Sequence, residues 1–144
     1  MKVKIQDIID AMEMIDQYSE CFIDKETGEI EQISDMVMTR EEQEEIYDRL
    51  DEHEFYRLPS SFDLREYDIM EDFISDMPEG VRDRMYSVIQ GRGAFRRFKD
   101  MVYEMGIEQL WYEFHDDAYR RKAVRWCEEN GIEYEYTTGG MKNA

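Results

Sequence analysis

Two cysteines, two prolines and two histidines are scattered through 144 residues. Cys21 and Cys127 form no CxxC pair, and two thiols cannot make a disulfide framework. No apolar run approaches the roughly 20 residues needed to cross a bilayer. The first residues, Met1-Lys2-Val3-Lys4-Ile5, lead into an amphipathic pattern with Asp7 and Asp10 and do not read as a secretory leader. The expectation is therefore a cytoplasmic chain with reduced thiols and no membrane partner. No repeat, low-complexity tract or linker divides the sequence, so residues 1–144 are expected to form one domain, with 137–144 a frayed tail.

Basic residues are also scarce: 18 Lys and Arg face 36 Asp and Glu, a formal net charge of −18. Such a surplus opposes wholesale binding of nucleic acid or an anionic membrane. The imbalance is local. Residues 1–80 hold seven basic and 25 acidic residues, whereas residues 81–144 hold eleven of each. Arg82, Arg84, Arg92, Arg96, Arg97 and Lys99 cluster in the second part, opposed over that span only by Asp83.

Periodicity predicts helices and a few strands. Ile5, Ile8, Ile9 and Met12 mark a helix over 4–15. Residues 18–24 and 29–34 read as a hairpin with Gly28 in its turn. Thr39-Arg40-Glu41-Glu42 is a capping box for a helix to about His53, with Ile46, Tyr47 and Leu50 inward. Phe55–Leu58 reads as a short strand. Asp63 then starts a helix to Met77 with Tyr67, Met70, Phe73, Ile74 and Met77 inward. Helices follow over 79–90, over 94–105 with Phe95, Phe98, Val102 and Met105 inward, and over 107–129. An edge strand covers 132–136. The expected fold class is α+β: a small antiparallel or mixed sheet of three to four strands packed with about six helices.

The segment from Gly91 to Lys99 is the strongest candidate site. A glycine loop entering a helix presents free backbone N–H groups, an anion-binding arrangement. Gly91 and Gly93 would expose the amides. Arg92, Arg96 and Arg97 would donate, flanked by Arg82 and Arg84. Cations in a first helical turn oppose the helix dipole, so a bound anion or the protein's own acids must offset them. The competing reading is a tight helix–helix corner with Phe95 and Phe98 in the core. The segment is neither a P-loop nor a dinucleotide fingerprint.

Other constellations are weaker. His115-Asp116-Asp117 with Glu113 suggests a metal, but adjacent helical residues diverge, and i,i+4 arginines account for the acids. His53, among acids at a helix end, reads as solvated. Both cysteines read as buried small hydrophobes. No catalytic residue, metal or cofactor is indicated.

The stretches Phe22–Glu29, Leu58-Pro59, Phe62-Asp63, Glu66–Ile74, Gly91–Asp100, Trp111-Tyr112 and Ala118–Ile132 resemble a bacterial family, Uncharacterised Protein Family 0158. The run Gly-Arg-Gly-Ala-Phe-Arg-Arg-Phe is the most specific element. The resemblance implies a single bacterial domain of shared architecture and implies no reaction. The functional expectation is a non-enzymatic binding or regulatory protein holding an anionic ligand or partner at Gly91–Lys99. One alternative is an acidic module docking a basic partner through residues 1–80. The other is a small carboxylate-dependent hydrolase or transferase.

Overall fold

Three residues are too few to display alternation, and Lys2–Lys4 forms a strand (β1) just ahead of helix α1 (Ile5–Glu13). A computed structural model describes residues 2–136; the tail 137–144, expected to fray, lies outside the described residues. The class is α+β, with six helices of nine residues or more among the described residues. By their contacts the residues form two compact units, Met1–Leu64 with Tyr119–Ala144, and Arg65–Ala118.

In the first unit, α1 buries Ile5, Ile8, Ile9 and Met12, the stripe expected from its spacing. The hairpin pairs β2 (Ser19–Asp24) with β3 (Ile30–Ser34) in antiparallel register, Cys21 opposite Gln32. Asp24 organises its turn: Oδ1 accepts from the amides of Glu26 at 2.7 Å and Thr27 at 3.1 Å. Gly28, at a φ of 78°, lets the chain return. Helix α2 (Arg40–Glu52) begins with the expected capping box between Thr39 and Glu42. Its Ile46 and Leu50 pack with Phe22 and Ile33. Tyr47, expected inward, is exposed, because 46 and 50 already fill the narrow buried stripe.

Strand β4 (Phe55–Arg57) joins the other edge of β2, completing a three-stranded sheet in the order β3-β2-β4. The helix expected from Asp63 to Met77 is divided. Ser60, not Asp63, starts the single turn α3 (Ser61–Leu64): Ser60 Oγ accepts from the Asp63 amide, and the Asp63 carboxylate accepts from the Ser60 amide. Arg65 then adopts a left-handed φ of 54°, which no helix interior allows.

The second unit opens with α4 (Glu66–Ser75), α5 (Glu79–Val88) and α6 (Ala94–Glu104), and takes the start of α7 (Glu108–Glu129). Its core is aromatic. Phe73, Phe98 and Trp111 meet edge to face, with centroids 4.7 Å apart for Phe98 and Trp111 and 5.3 Å for Phe73 and Trp111. Tyr67, expected on the buried stripe, is partly exposed and Ile69 is buried instead. Phe95, also expected inward, is 43% exposed, whereas Phe98 is fully enclosed. Helical rotation explains the difference: Ala94, Phe98, Met101 and Val102 share one face, and Phe95 falls outside it.

The later part of α7 belongs to the first unit, as does β5 (Glu133–Glu135). β5 pairs in parallel with β1, Val3 opposite Tyr134, with Lys2 and Lys4 facing Glu133 and Glu135. Phe98→Ala is expected to lose about 3–5 kcal/mol of unfolding free energy in urea titration. Phe95→Ala should stay within about 0.5 kcal/mol of the parent.

Candidate functional site: the α5–α6 corner

Helix α5 stops at Val88, and the carbonyls of its last turn have no amide partner further along the helix. Arg97 reaches back to supply donors. Its Nε donates to Val88 O at 2.7 Å, its Nη1 to Arg92 O, and its Nη2 to Gln90 O. Tyr67 Oη donates to Ile89 O at 3.0 Å. Four carbonyls of the corner thus receive side-chain donors, three of them from one planar guanidinium.

The glycines make this geometry possible. Gly91 and Gly93 hold φ values of 76° and 78°, which favour glycine. A Cβ on Gly93 would lie 3.0 Å from Arg97 Nη1. Arg97 starts in the first turn of α6, yet its charge rests against the negative end of α5, where a cation is favourable. The dipole conflict expected at this position is absent for Arg97.

The remaining members of the run are disposed differently. Ala94 and Phe98 are buried. Arg92, Phe95, Arg96 and Lys99 are on the surface. Among the described residues, Arg92, Arg96 and Lys99 have no ion pair or side-chain hydrogen bond, and Arg96 does not pair with Asp100. The first intrahelical bond of α6 runs from the Arg97 amide to Gly93 O at 3.1 Å. The amides of Ala94, Phe95 and Arg96 precede it, and no side chain caps the helix. Arg82 and Arg84 are the fourth and sixth of the ten residues of α5. Arg84, the nearer, is four residues before Val88, roughly 6 Å along the helix axis from its end at 1.5 Å per residue. The corner's bonds run through Arg97, Tyr67 and the carbonyls of residues 88–92, and among the described residues none of them involves a side chain of Arg82 or Arg84.

The histidines each face a carboxylate. Nε2 of His115 is 2.9 and 3.1 Å from the two oxygens of Glu66, a partner 49 residues away that sequence spacing does not reveal. His53, expected to be solvated, is half-buried against the hairpin turn. Its Nδ1 is 2.9 Å from Oδ2 of Asp24. Desolvation pushes the Asp24 carboxyl up, but the amides of Glu26 and Thr27, with His53, outweigh it and hold it below its ordinary value. Among the described residues, no group of three His, Cys, Asp or Glu converges as metal ligands. Cys21 and Cys127 are free and buried, and desolvation raises each thiol to about 11.

A cleft of about 450 Å³ in the first unit is lined by Arg57, Ser60, Asp63, Lys122, Arg125 and Trp126 among others. Much of its polarity is satisfied internally. Arg57 pairs with Glu20, Trp126 Nε1 donates to Arg57 O at 3.1 Å, and Asp63 accepts from Ser60. Those Ser60 bonds hold the Asp63 carboxyl below its ordinary value.

The family model described as Uncharacterised protein family (UPF0158) matches residues 1–139. The chain belongs to that family. No curated protein and no solved structure matches it. The corner residues, from Gly91 to Lys99, fall within the matched span. Among the described residues, no helix is long and apolar enough to cross a membrane.

Arg97→Ala should destabilise the protein by about 1–2 kcal/mol, and Arg97→Lys should recover little of that, because an ammonium cannot reach three carbonyls as a fork. Thermal melting of the three proteins checks this. Both cysteines should resist a thiol reagent at pH 8 in the folded protein and react fully in denaturant, because burial keeps them protonated and shielded.

Proposed function

We propose that the protein is a non-enzymatic binding protein that holds an anionic ligand or partner at the start of α6. The observation that carries this reading is a division of labour within one run. Gly91, Gly93, Ala94, Arg97 and Phe98 each serve the corner or the core. The side chains of Arg92, Arg96 and Lys99 serve neither, and Arg92 and Arg96 lie at a helix start that no side chain caps. Amides at such an end attract an anion, and exposed guanidinium groups add forked donors. Arg97 has the supporting role of holding the loop so that these groups are preorganised. The groups present are donors and cations, which hold charge rather than break bonds.

The same reading places the protein in the bacterial cytoplasm, supported by two free, buried thiols.

Thermal melting with inorganic phosphate, pyrophosphate and nucleotides tests the site. A ligand at a hundred times its dissociation constant adds about 2.7 kcal/mol, which raises the melting temperature by several degrees. Arg92→Ala combined with Arg96→Ala should abolish the rise while leaving the ligand-free melting temperature unchanged. A rise that survives the double substitution would remove the corner from consideration.

A further inference from the structure

The first unit exposes an apolar surface that folding does not require. After β3 ends at Ser34, residues 35–38 turn before Thr39 caps α2. Within this turn Met36 is 67% exposed and Val37 is 81% exposed. Turns ordinarily take Gly, Asn, Asp or Ser at such places. Met38, the next residue, packs against Phe22, Ile33, Ile46 and Leu50, so the core already has its contribution from this segment.

Beside the turn is a hollow of about 320 Å³, lined by Asp16, Tyr18, Glu20, Asp35 and Tyr47 among others. Asp35 directly precedes Met36, and its amide donates to Tyr18 O at 2.9 Å, which ties the hollow to the turn. Tyr18 and Tyr47 are 46% and 45% exposed. On α2, Asp51 lies four residues after Tyr47 on the same helical face, and both are exposed. Arg57 also lines the hollow, but it is paired with Glu20.

We infer that this surface docks a basic amphipathic segment of a partner protein. Met36, Val37 and the two tyrosine rings take its apolar side. Asp16, Asp35 and Asp51 take its Lys and Arg side chains, and the tyrosine faces add cation–π attraction. Charge decides the occupant. Residues 1–64 and 119–144, which make up this unit, carry 23 acidic and 11 basic residues, so a basic segment is steered to this surface and an acidic one is repelled. The inference is independent of the anion site on α6 and involves none of its residues.

The probe is a labelled amphipathic helix peptide of Leu and Lys, titrated by fluorescence anisotropy at about 0.15 M salt. Two control peptides replace its Lys by Glu or its Leu by Ser. The Leu/Lys peptide should bind, and both controls should bind at least about tenfold more weakly. Met36→Ser with Val37→Asp should weaken binding to a similar degree, as should Asp35→Asn with Asp51→Asn. Tyr47→Ala provides an independent variant should the turn substitutions disturb folding. Arg92→Ala with Arg96→Ala should leave the affinity unchanged, which separates this surface from the anion site. Equal binding of the Ser/Lys peptide would overturn the inference, because diffuse charge would then suffice. So would indifference to the Met36, Val37 and Tyr47 substitutions. Self-association in sedimentation velocity that disappears with Met36→Ser and Val37→Asp would assign the surface to a second copy of the chain and overturn the partner named here.

Discussion

The carbonyl oxygens at the end of α5 need donors, and the second unit is organised around supplying them. A helix that ends at a tight corner cannot hand its last carbonyls to a following turn of helix. Arg97 and Tyr67 donate to four of the corner's carbonyls, from α6 on one side and α4 on the other. This joins three helices through backbone oxygens rather than through apolar contact alone. Both glycines follow from it, because the loop has to turn left-handed twice to bring Gln90 O and Arg92 O within reach of one guanidinium. The aromatic cluster of Phe73, Phe98 and Trp111 then packs on helices whose connection is already fixed.

Membership in UPF0158 names relatives without naming a reaction, so the function has to be argued from the surface of this chain. The chain carries opposite characters in different places. Exposed cations without partners cluster at the start of α6, and exposed carboxylates flank an apolar turn ahead of α2. Both features put uncompensated charge beside hydrophobic or amide groups, which favours recognition of charged partners. The histidines and cysteines, by contrast, are occupied by carboxylates or by burial.

Local chemistry was legible in the sequence, and distant pairing was not. The capping box at Thr39, the Asp24–Gly28 hairpin turn and the break at Gly91–Gly93 are written in a few adjacent residues, and each appears where it was read. β1 was missed because three residues show no period and its partner β5 is about 130 positions away. The left-handed Arg65 carries no local signal, since nothing in its residue type asks for positive φ. The run from Gly91 to Lys99 was visible as unusual, but not how its members divide. That Arg97 turns back while Arg96 faces solvent depends on the position of the α5 carbonyls, which only the folded corner fixes. Tyr47 and Phe95 were placed inside because an apolar residue one step from a buried stripe looks the same as one on it.

The pairing of β1 with β5 has a consequence for synthesis. The ribosome releases the chain from its first residue onward, at roughly 5–20 residues per second. The segment Arg65–Ala118 is continuous, so its residues emerge in one uninterrupted stretch and can pack as soon as the last of them is clear. The other unit is discontinuous. Its hairpin and α2 are made early, but β1 has no partner strand until residues 133–135 have left the tunnel. For several seconds β1 lacks the strand it pairs with, and exposed lysines on either side of Val3 are the kind of edge charge that disfavours pairing with another chain. The unit that contains β1 can therefore close only after every residue of the other has been made.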